Sequence, residues 1–144
     1  MNTVGNILKA KGNTVWTVSK DACVFDALKI FSEKRISSVV VVEGEKILGI
    51  FTERDFANKV GLTGKNAESV KIDEVMTSDL ITVNPNQSVK VCMSLMTDKR
   101  IRHLPVIEDG KLVGIVSIGD VVKDLIEELH FLLEQMENYI KGLR

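Results

Sequence analysis

Apolar residues in the first third of the chain follow two different spacings. Residues 15–18, Val-Trp-Thr-Val, predict a short strand. The apolar positions after them are Val24, Ala27, Leu28 and Phe31. Their spacing is typical of an amphipathic helix, and the apolar runs 39–42 and 47–51 then predict a β-hairpin. The predicted order is strand, helix and hairpin, with a closing helix that begins at Thr52.

The same order recurs 65 positions further along the chain. This shift aligns Thr17-Val18 with Thr82-Val83, Lys34-Arg35-Ile36 with Lys99-Arg100-Ile101, and Gly49-Ile50 with Gly114-Ile115. The alignment has no gap from Thr17 to about Ala57, and upstream it needs three extra residues near Lys11. The chain is therefore a duplication, and the second closing helix begins at Ser117.

Polar residues before the first helix of each copy suggest where that helix begins. Ser19 is a candidate N-cap in the first copy. In the second copy Asn84 is the candidate, and Pro85 suits the first helical turn. Asp109-Gly110 predicts a tight hairpin turn in that copy.

A long apolar stripe follows Asp120, where the chain has no Gly or Pro until Gly142. The stripe consists of Val122, Leu125, Leu129, Leu132, Met136 and Tyr139, widened by Ile126, Leu133 and Ile140. Its spacing is typical of a helix that packs against another helix. One alternative is packing back on its own module. Because the closing helix should end near Leu125, we expect the later turns to contact a second copy in a homodimer.

These elements predict an α+β (α/β) fold with two β-α-β-β-α repeats packed as one pseudo-symmetric module, plus a C-terminal helix. We assign residues 1–60 to repeat 1, 61–71 to a polar linker, 72–126 to repeat 2, and 127–144 to a C-terminal helical extension. One repeat alone could cover only one face of its small sheet, so the two copies are expected to pack together.

Composition and charge narrow the function classes. An apolar fraction of 44% and a charged fraction of 27% are those of an ordinary globular protein. A net charge of −1 gives no electrostatic reason to expect nucleic acid or a membrane as partner. Cys23 and Cys92 lack metal-binding spacing, which favours two buried thiols in a reducing compartment. With no secretion signal in view, we expect a cytoplasmic location.

The two copies carry related motifs where their closing helices begin. These are Gly49-Ile50-Phe51-Thr52-Glu53-Arg54-Asp55 and Gly114-Ile115-Val116-Ser117-Ile118-Gly119-Asp120, the second preceded by Arg102-His103-Leu104-Pro105-Val106. Together with the repeat, they resemble CBS-domain pairs, the module named after cystathionine β-synthase. The resemblance covers about residues 4–126 and departs from the family pattern at Val40, which replaces a Pro.

The resemblance implies regulatory binding of an adenine nucleotide in two clefts between the repeats. One cleft would contain Thr52, Asp55, Arg35, Leu80, Ile81, Ile101 and Arg102. The other would contain Ser117, Asp120, Arg100, Val15, Ile36 and Ser37. Arg54 and His103 are further candidate ligand contacts. Because Arg102 takes the place that Ser37 has in the second cleft, the first cleft is expected to favour a phosphate-rich ligand.

The key residues of this implied site also have structural interpretations. An Asp that accepts ribose hydroxyls is chemically sensible, because charge-assisted hydrogen bonds are strong. Thr52 with Asp55, and Ser117 with Asp120, equally fit helix N-caps with an acidic residue in the first turn. Arg35 falls at a helix C-terminus, where Arg also has a structural role. Both interpretations stay open.

No metal-ligand spacing, Gly-rich phosphate loop or nucleophile with a base is found in the sequence. We therefore expect no metal, no catalytic cofactor and no enzymatic activity. Our hypothesis is a regulatory module that binds AMP, ADP, ATP or NAD(H), senses energy or redox state, and acts on a protein partner in trans. The alternative is a structural or dimerisation adaptor with clefts that bind nothing.

Overall fold

The fold was obtained as a computed structural model that describes residues 2–143. Its elements are α1 (Val4–Lys11), β1 (Thr17–Ser19), α2 (Val24–Lys34), β2 (Ser38–Glu43), β3 (Lys46–Thr52), α3 (Glu53–Asp55) continued by a π-helical turn (Phe56–Gly61), a 3-10 turn (Ile72–Glu74), α4 (Val89–Lys99), β4 (His103–Glu108), β5 (Lys111–Ser117) and α5 (Ile118–Gly142). The expected α+β fold with a C-terminal helix is confirmed.

Contacts divide the chain into two compact units that do not follow the order of the sequence. The central unit contains Thr14–Ile81, and the terminal unit combines the residues up to Asn13 with those from Thr82 onward. Each unit therefore holds the helix and hairpin of one copy together with the short segment that precedes the other copy. In the terminal unit that segment is α1.

The two units have related sheets of different size. In the central unit β2 pairs in parallel with β1 and antiparallel with β3. In the terminal unit β4 and β5 form an antiparallel pair, and Val83 makes a single parallel bridge to Val106. The second hairpin turn has positive φ at Asp109 (52°) and Gly110 (76°), as its sequence predicts.

The first helix of each copy, α2 or α4, begins later than the sequence predicts. α2 follows Cys23 rather than Ser19, and α4 follows Ser88 rather than Asn84. In each copy the residues in between form a turn instead of the first turn of the helix. The predicted starts at Ser19 and Asn84 are therefore wrong.

The carbonyl groups of these turns accept hydrogen bonds from a segment that is distant in sequence. This explains why the two helices begin later than predicted. In the terminal unit the Val4 N–H at the start of α1 donates to the Gln87 carbonyl at 2.9 Å. In the central unit the Ile72 N–H donates to the Ala22 carbonyl at 2.8 Å. The first N–H groups of α1 and of the 3-10 turn need acceptors, and the Gln87 and Ala22 carbonyls supply them instead of accepting from a helical turn of their own. Local capping signals cannot reveal such an arrangement.

A strand glycine in each unit lets this distant segment approach closely. A Cβ on Gly114 of β5 would lie 2.7 Å from Leu8 Cδ2 of α1. A Cβ on Gly49 of β3 would lie 2.7 Å from the Thr77 carbonyl and 2.8 Å from Met76 Sδ. Leu8 and Met76 thus play matching roles, in agreement with the upstream alignment that needs three extra residues.

Candidate ligand site

The structure forms a capping box at the start of both closing helices. Thr52 Oγ1 accepts from the Asp55 N–H at 3.2 Å, and the Thr52 N–H donates to Asp55 Oδ2 at 3.1 Å. Ser117 Oγ accepts from the Asp120 N–H at 3.2 Å, and the Ser117 N–H donates to Asp120 Oδ2 at 2.8 Å. The structural interpretation of these pairs is therefore confirmed, and any ligand contact would come in addition to it.

Asp55 is buried, and both of its oxygens are engaged within the central unit. Oδ1 accepts from Thr77 Oγ1 at 3.0 Å and lies 3.1 Å from Lys59 Nζ. Oδ2 accepts from the backbone and the hydroxyl group of Thr52. Lys59 is held a second time, because its Nζ donates to the Val75 carbonyl at 3.1 Å. A ribose hydroxyl would have to displace one of these donors.

Asp120 is more accessible and has a different cation partner. Lys11 Nζ, from the last residue of α1, lies 2.6 Å from Asp120 Oδ2. The side chain of Asp120 is 22% exposed, against 11% for Asp55. The two carboxylates therefore differ in access, and Lys59 has a second bond, to the Val75 carbonyl, beside its ion pair.

The surroundings of Asp120 favour its charged form. Partial burial is the largest influence and opposes ionisation, but the hydrogen bonds from Lys11 and Ser117 together outweigh it. The net result is that the pKa of Asp120 lies below its ordinary value. The group is a carboxylate at neutral pH and can accept hydrogen bonds from hydroxyl groups.

Arg102 and His103 lie beside the same helix start. His103 pairs with Ser117 across β4 and β5, and the Ile118 N–H donates to the Arg102 carbonyl at 2.8 Å. Burial lowers the pKa of His103, the charges of Arg102 and Lys11 lower it further, and Asp120 partly compensates. His103 is therefore neutral at pH 7. We call Lys11, Arg102, His103, Ser117 and Asp120 the Asp120 cluster.

The sequence-predicted site residues fall into both units. The central unit contains Val15, Arg35, Ile36, Ser37, Thr52, Arg54, Asp55, Leu80 and Ile81, and the terminal unit contains Arg100, Ile101, Arg102, His103, Ser117 and Asp120. Arg102, whose charge favoured the Asp55 cleft in the sequence analysis, lies in the unit of Asp120. The grouping of residues from both copies into two clefts stays a prediction.

Sequence reasoning missed Lys11. This residue lies where the two copies differ in length, so the repeat alignment gives it no counterpart. It reaches Asp120 only because α1 docks on the second copy's β5 through Leu8 and Gly114. A basic residue in the last turn of a helix was the one local signal, and such residues ordinarily serve the helix dipole.

The two arginines after the first helix of each copy share an unusual backbone. Arg35 and Arg100 follow α2 and α4 with φ of 54° and 55°, and their N–H groups donate to the Phe31 and Met96 carbonyls. Glycine is the usual residue in this left-handed position, because a Cβ there costs roughly 1–2 kcal/mol. The helix-end interpretation is thus confirmed for both.

The described residues were also compared with the requirements of a metal site and of a membrane-spanning helix. Between residues 2 and 143, no group of three or more His, Cys, Asp or Glu could hold a metal ion. Within the same range, no helix combines the length and apolar content needed to cross a bilayer. Cys92 is buried as expected, which raises its thiol pKa, whereas Cys23 is only half-buried at the start of α2.

Comparison with known proteins decides the family. The model of the CBS domain matches residues 13–61 and 72–127. The chain belongs to the CBS domain family. The resemblance inferred from the sequence motifs is thereby confirmed for both repeats.

Three similar proteins support this family assignment, and each similarity covers most of this chain. The CBS domain-containing protein CBSX3, mitochondrial, of Arabidopsis thaliana is 39% identical over 150 residues, covering 97% of this chain and 72% of that protein. The structure of a protein with CBS domains from Burkholderia ambifaria MC40-6 has a TM-score of 0.85 at 48% identity, covering 88% of this chain and 95% of that chain. The CBS domain pair of protein MJ0100, in complex with 5′-methylthioadenosine and S-adenosyl-L-methionine, has a TM-score of 0.78 at 25% identity, covering 89% and 98%.

Proposed function

We propose that this chain is a regulatory, non-catalytic CBS module that binds an adenine nucleotide at the Asp120 cluster and acts on a protein partner in trans. The observation that carries the proposal is an accessible, ionised carboxylate next to Lys11, Arg102 and neutral His103. Such a set offers an acceptor for ribose hydroxyls and cations for phosphate. AMP, ADP, ATP and NAD(H) are the ligands in question, which makes energy or redox state the sensed quantity.

The chemistry of the cluster supports an anionic nucleoside ligand. A carboxylate accepts both hydroxyl groups of a ribose without changing its protonation state, and charge-assisted bonds of this type are among the stronger ones. Lys and Arg recognise phosphate through charge, and Arg adds paired donors. The related CBS pair of protein MJ0100, which was solved with two adenosine-containing ligands, supports the same ligand class.

Asp55 belongs to a second proposed contact set that we expect to bind more weakly. Its oxygens are already bonded to Thr52, Lys59 and Thr77, so a ligand must displace a donor before it gains an acceptor. The sequence-predicted contacts of Asp55 are Thr52, Arg35, Leu80, Ile81, Ile101 and Arg102, and those of Asp120 are Ser117, Arg100, Val15, Ile36 and Ser37, with Arg54 and His103 as further candidates. The cytoplasmic location stays a prediction, since one relative is named mitochondrial.

The test compares two matched variants by calorimetry with AMP. Asp120→Asn keeps a side-chain acceptor for the capping box but removes the charge that faces the ribose. Loss of a charged acceptor costs about 1.5–3 kcal/mol, or roughly ten- to a hundredfold in affinity. We expect Asp120→Asn to weaken AMP binding by that factor and Asp55→Asn to weaken it less. Equal, wild-type affinity of both variants would contradict the assignment of the ligand to these carboxylates.

A dimerisation adaptor is the second candidate function, favoured by the exposed stripe on α5. The helix is 25 residues long, about 37 Å, and its later turns expose Leu129 (58%), Met136 (61%) and Tyr139 (69%). Exposed apolar area on this scale is disfavoured by about 25 cal/mol per Å². We propose that a second copy of this chain covers the stripe.

The charges around the stripe favour an antiparallel arrangement of two such helices. Glu127 and Glu128 precede the later turns of the stripe, Glu134 and Glu137 lie along them, and Lys141 follows them. A parallel pair would align the glutamates of the two chains, which is destabilising, whereas an antiparallel pair places Lys141 near the glutamates of its partner. The contact is then the same patch on both chains, as a two-fold dimer requires.

A further inference from the structure

We propose that Lys11 makes the Asp120 cluster selective for phosphorylated adenosine compounds, by exchanging its bond to Asp120 for a bond to the phosphate of the ligand. The inference rests on the proposed function and deepens it, because it names the residue that decides between charged and uncharged ligands. Lys11 would act as a specificity-determining residue that α1 delivers to the second copy.

Four contacts fix the position from which Lys11 reaches Asp120. The Thr3 side chain caps α1, and the Val4 and Gly5 N–H groups donate to the Gln87 and Pro85 carbonyls at 2.9 and 2.8 Å. At the other end Leu8 lies against Gly114, and Lys11 follows less than one turn later. The backbone of Lys11 is therefore anchored, while its long side chain has several rotatable bonds through which the ammonium group can change partner.

The ion pair between Lys11 and Asp120 is suited to being exchanged rather than kept. The two side chains remain 32% and 22% exposed, and solvent access weakens the attraction within an ion pair. When ribose hydroxyls donate to Asp120, they replace the hydrogen bond from Lys11. The carboxylate still has donors, and the ammonium group of Lys11 is released. A phosphate within reach then supplies that ammonium with a new anionic partner.

Ligands without a phosphate gain nothing from this exchange. Adenosine or 5′-methylthioadenosine can satisfy Asp120 but leaves the released Lys11 without a second anion. Arg102 and His103 add to the effect, because a cation and a half-buried neutral imidazole at the same place offer no alternative negative charge. The cluster should therefore bind AMP more tightly than adenosine, and Lys11 should account for much of the difference.

The central unit provides an internal contrast. Lys59, which pairs with Asp55, lies on the closing helix itself and is bonded a second time to the Val75 carbonyl. Releasing Lys59 would break two contacts instead of one. The residue that aligns with Lys59 in the second copy is Asp124, so the terminal unit receives its lysine from α1 instead.

The test measures the affinity of the full-length chain for AMP, adenosine and 5′-methylthioadenosine by calorimetry, in three variants. Lys11→Gln removes the charge but keeps length and polarity, Lys11→Arg keeps the charge, and Lys9→Gln is the control on an exposed residue of the same helix. We expect Lys11→Gln to weaken AMP binding roughly tenfold and to leave the affinity for the two uncharged ligands equal or slightly higher. Lys11→Arg should retain the preference for AMP, and Lys9→Gln should behave as the wild type.

The other outcomes separate this inference from the proposed function. If Lys11→Gln weakens all three ligands equally, Lys11 only supports the fold, and the selectivity claim is overturned. If it changes none of them, the claim is overturned as well, although the nucleotide site stands. If the wild-type chain binds none of the three, the proposed function itself fails. Urea denaturation of each variant shows whether it folds with the stability of the wild type.

Discussion

The carboxylate of Asp120 combines two tasks in one side chain. It completes the capping box with Ser117, and it accepts the charge of Lys11 from another part of the chain. The sequence predicted the first task from the Ser-x-x-Asp spacing alone, since capping is decided by neighbours three residues apart. It could not predict the second, because the partner is 109 positions away. At the residue scale, local sequence rules thus predict the capped helix start, but they do not predict the ion pair between Lys11 and Asp120.

The neutral state of His103 makes stability depend on pH. The lowered pKa means that the folded chain resists protonation of His103, while the unfolded chain binds a proton near its ordinary value of 6.5. The contribution of His103 to the unfolding free energy should therefore be fully present above that pH, and it should be lost as the pH drops below it. Asp120, whose pKa is also lowered, adds a loss in the same direction only near and below 3.8.

Urea denaturation at pH 7.5 and 5.5 checks this dependence on His103. The variant His103→Asn should lose less stability between the two pH values than the wild type does. The matched control is His130→Asn, on the exposed face of α5, which should follow the wild type. Identical pH dependence in all three chains would show that His103 does not carry the effect.

Arg35 offers a test of the backbone strain at helix ends. Its left-handed conformation costs roughly 1–2 kcal/mol for any residue with a Cβ, whereas Gly adopts it freely and loses about 0.5–1 kcal/mol through chain entropy. Arg35→Gly should therefore raise the unfolding free energy by about 0.5 kcal/mol relative to Arg35→Ala. Equal stability of the two variants in urea would show that a Cβ at this left-handed position carries no net cost.

At the scale of elements, the repeat predicted the hairpins and helices but not their partners. The shift by 65 positions located β2 with β3 and β4 with β5, since hairpin pairing is local. The segment before each copy, however, packs on the other copy's hairpin, as Leu8 does on Gly114. The packing of each segment on the other copy depends on long-range hydrogen bonds and on a strand glycine without a Cβ that would obstruct the segment. Neither feature has a local signature in the sequence. Lys11 was missed for that reason.

The two strand glycines make a matched pair for testing this docking. A Cβ on Gly49 would meet the backbone carbonyl of Thr77, which cannot move alone, whereas a Cβ on Gly114 would meet the flexible end of Leu8. Overpacking costs about 1–3 kcal/mol, so Gly49→Ala should fall at the upper end of that range and Gly114→Ala at the lower. The measurement is urea denaturation, and a larger loss for Gly114→Ala would contradict the contacts described.

At the scale of the whole molecule, the stripe on α5 predicts assembly in solution. Replacing Leu129 and Met136 with Glu should convert a homodimer to a monomer, because it places charges inside the proposed interface. Glu134→Lys on the polar face is the control and should leave the dimer intact. Light scattering on each chain gives the result. A monomeric wild-type chain would overturn the dimer, and a dimer that survives both Glu substitutions would place the interface elsewhere.

Adenine-nucleotide binding by the intact chain is the central claim, and thermal denaturation with and without ligand tests it most directly. A ligand that binds the folded state stabilises it by about 2.7 kcal/mol at one hundred times its Kd. We predict that AMP raises the Tm of the wild-type chain in a saturable manner, and that Asp120→Asn removes most of the increase without lowering the Tm of the free protein to a similar extent. No increase with AMP, ADP, ATP or NADH at millimolar concentration would contradict the account and leave the adaptor as the better description.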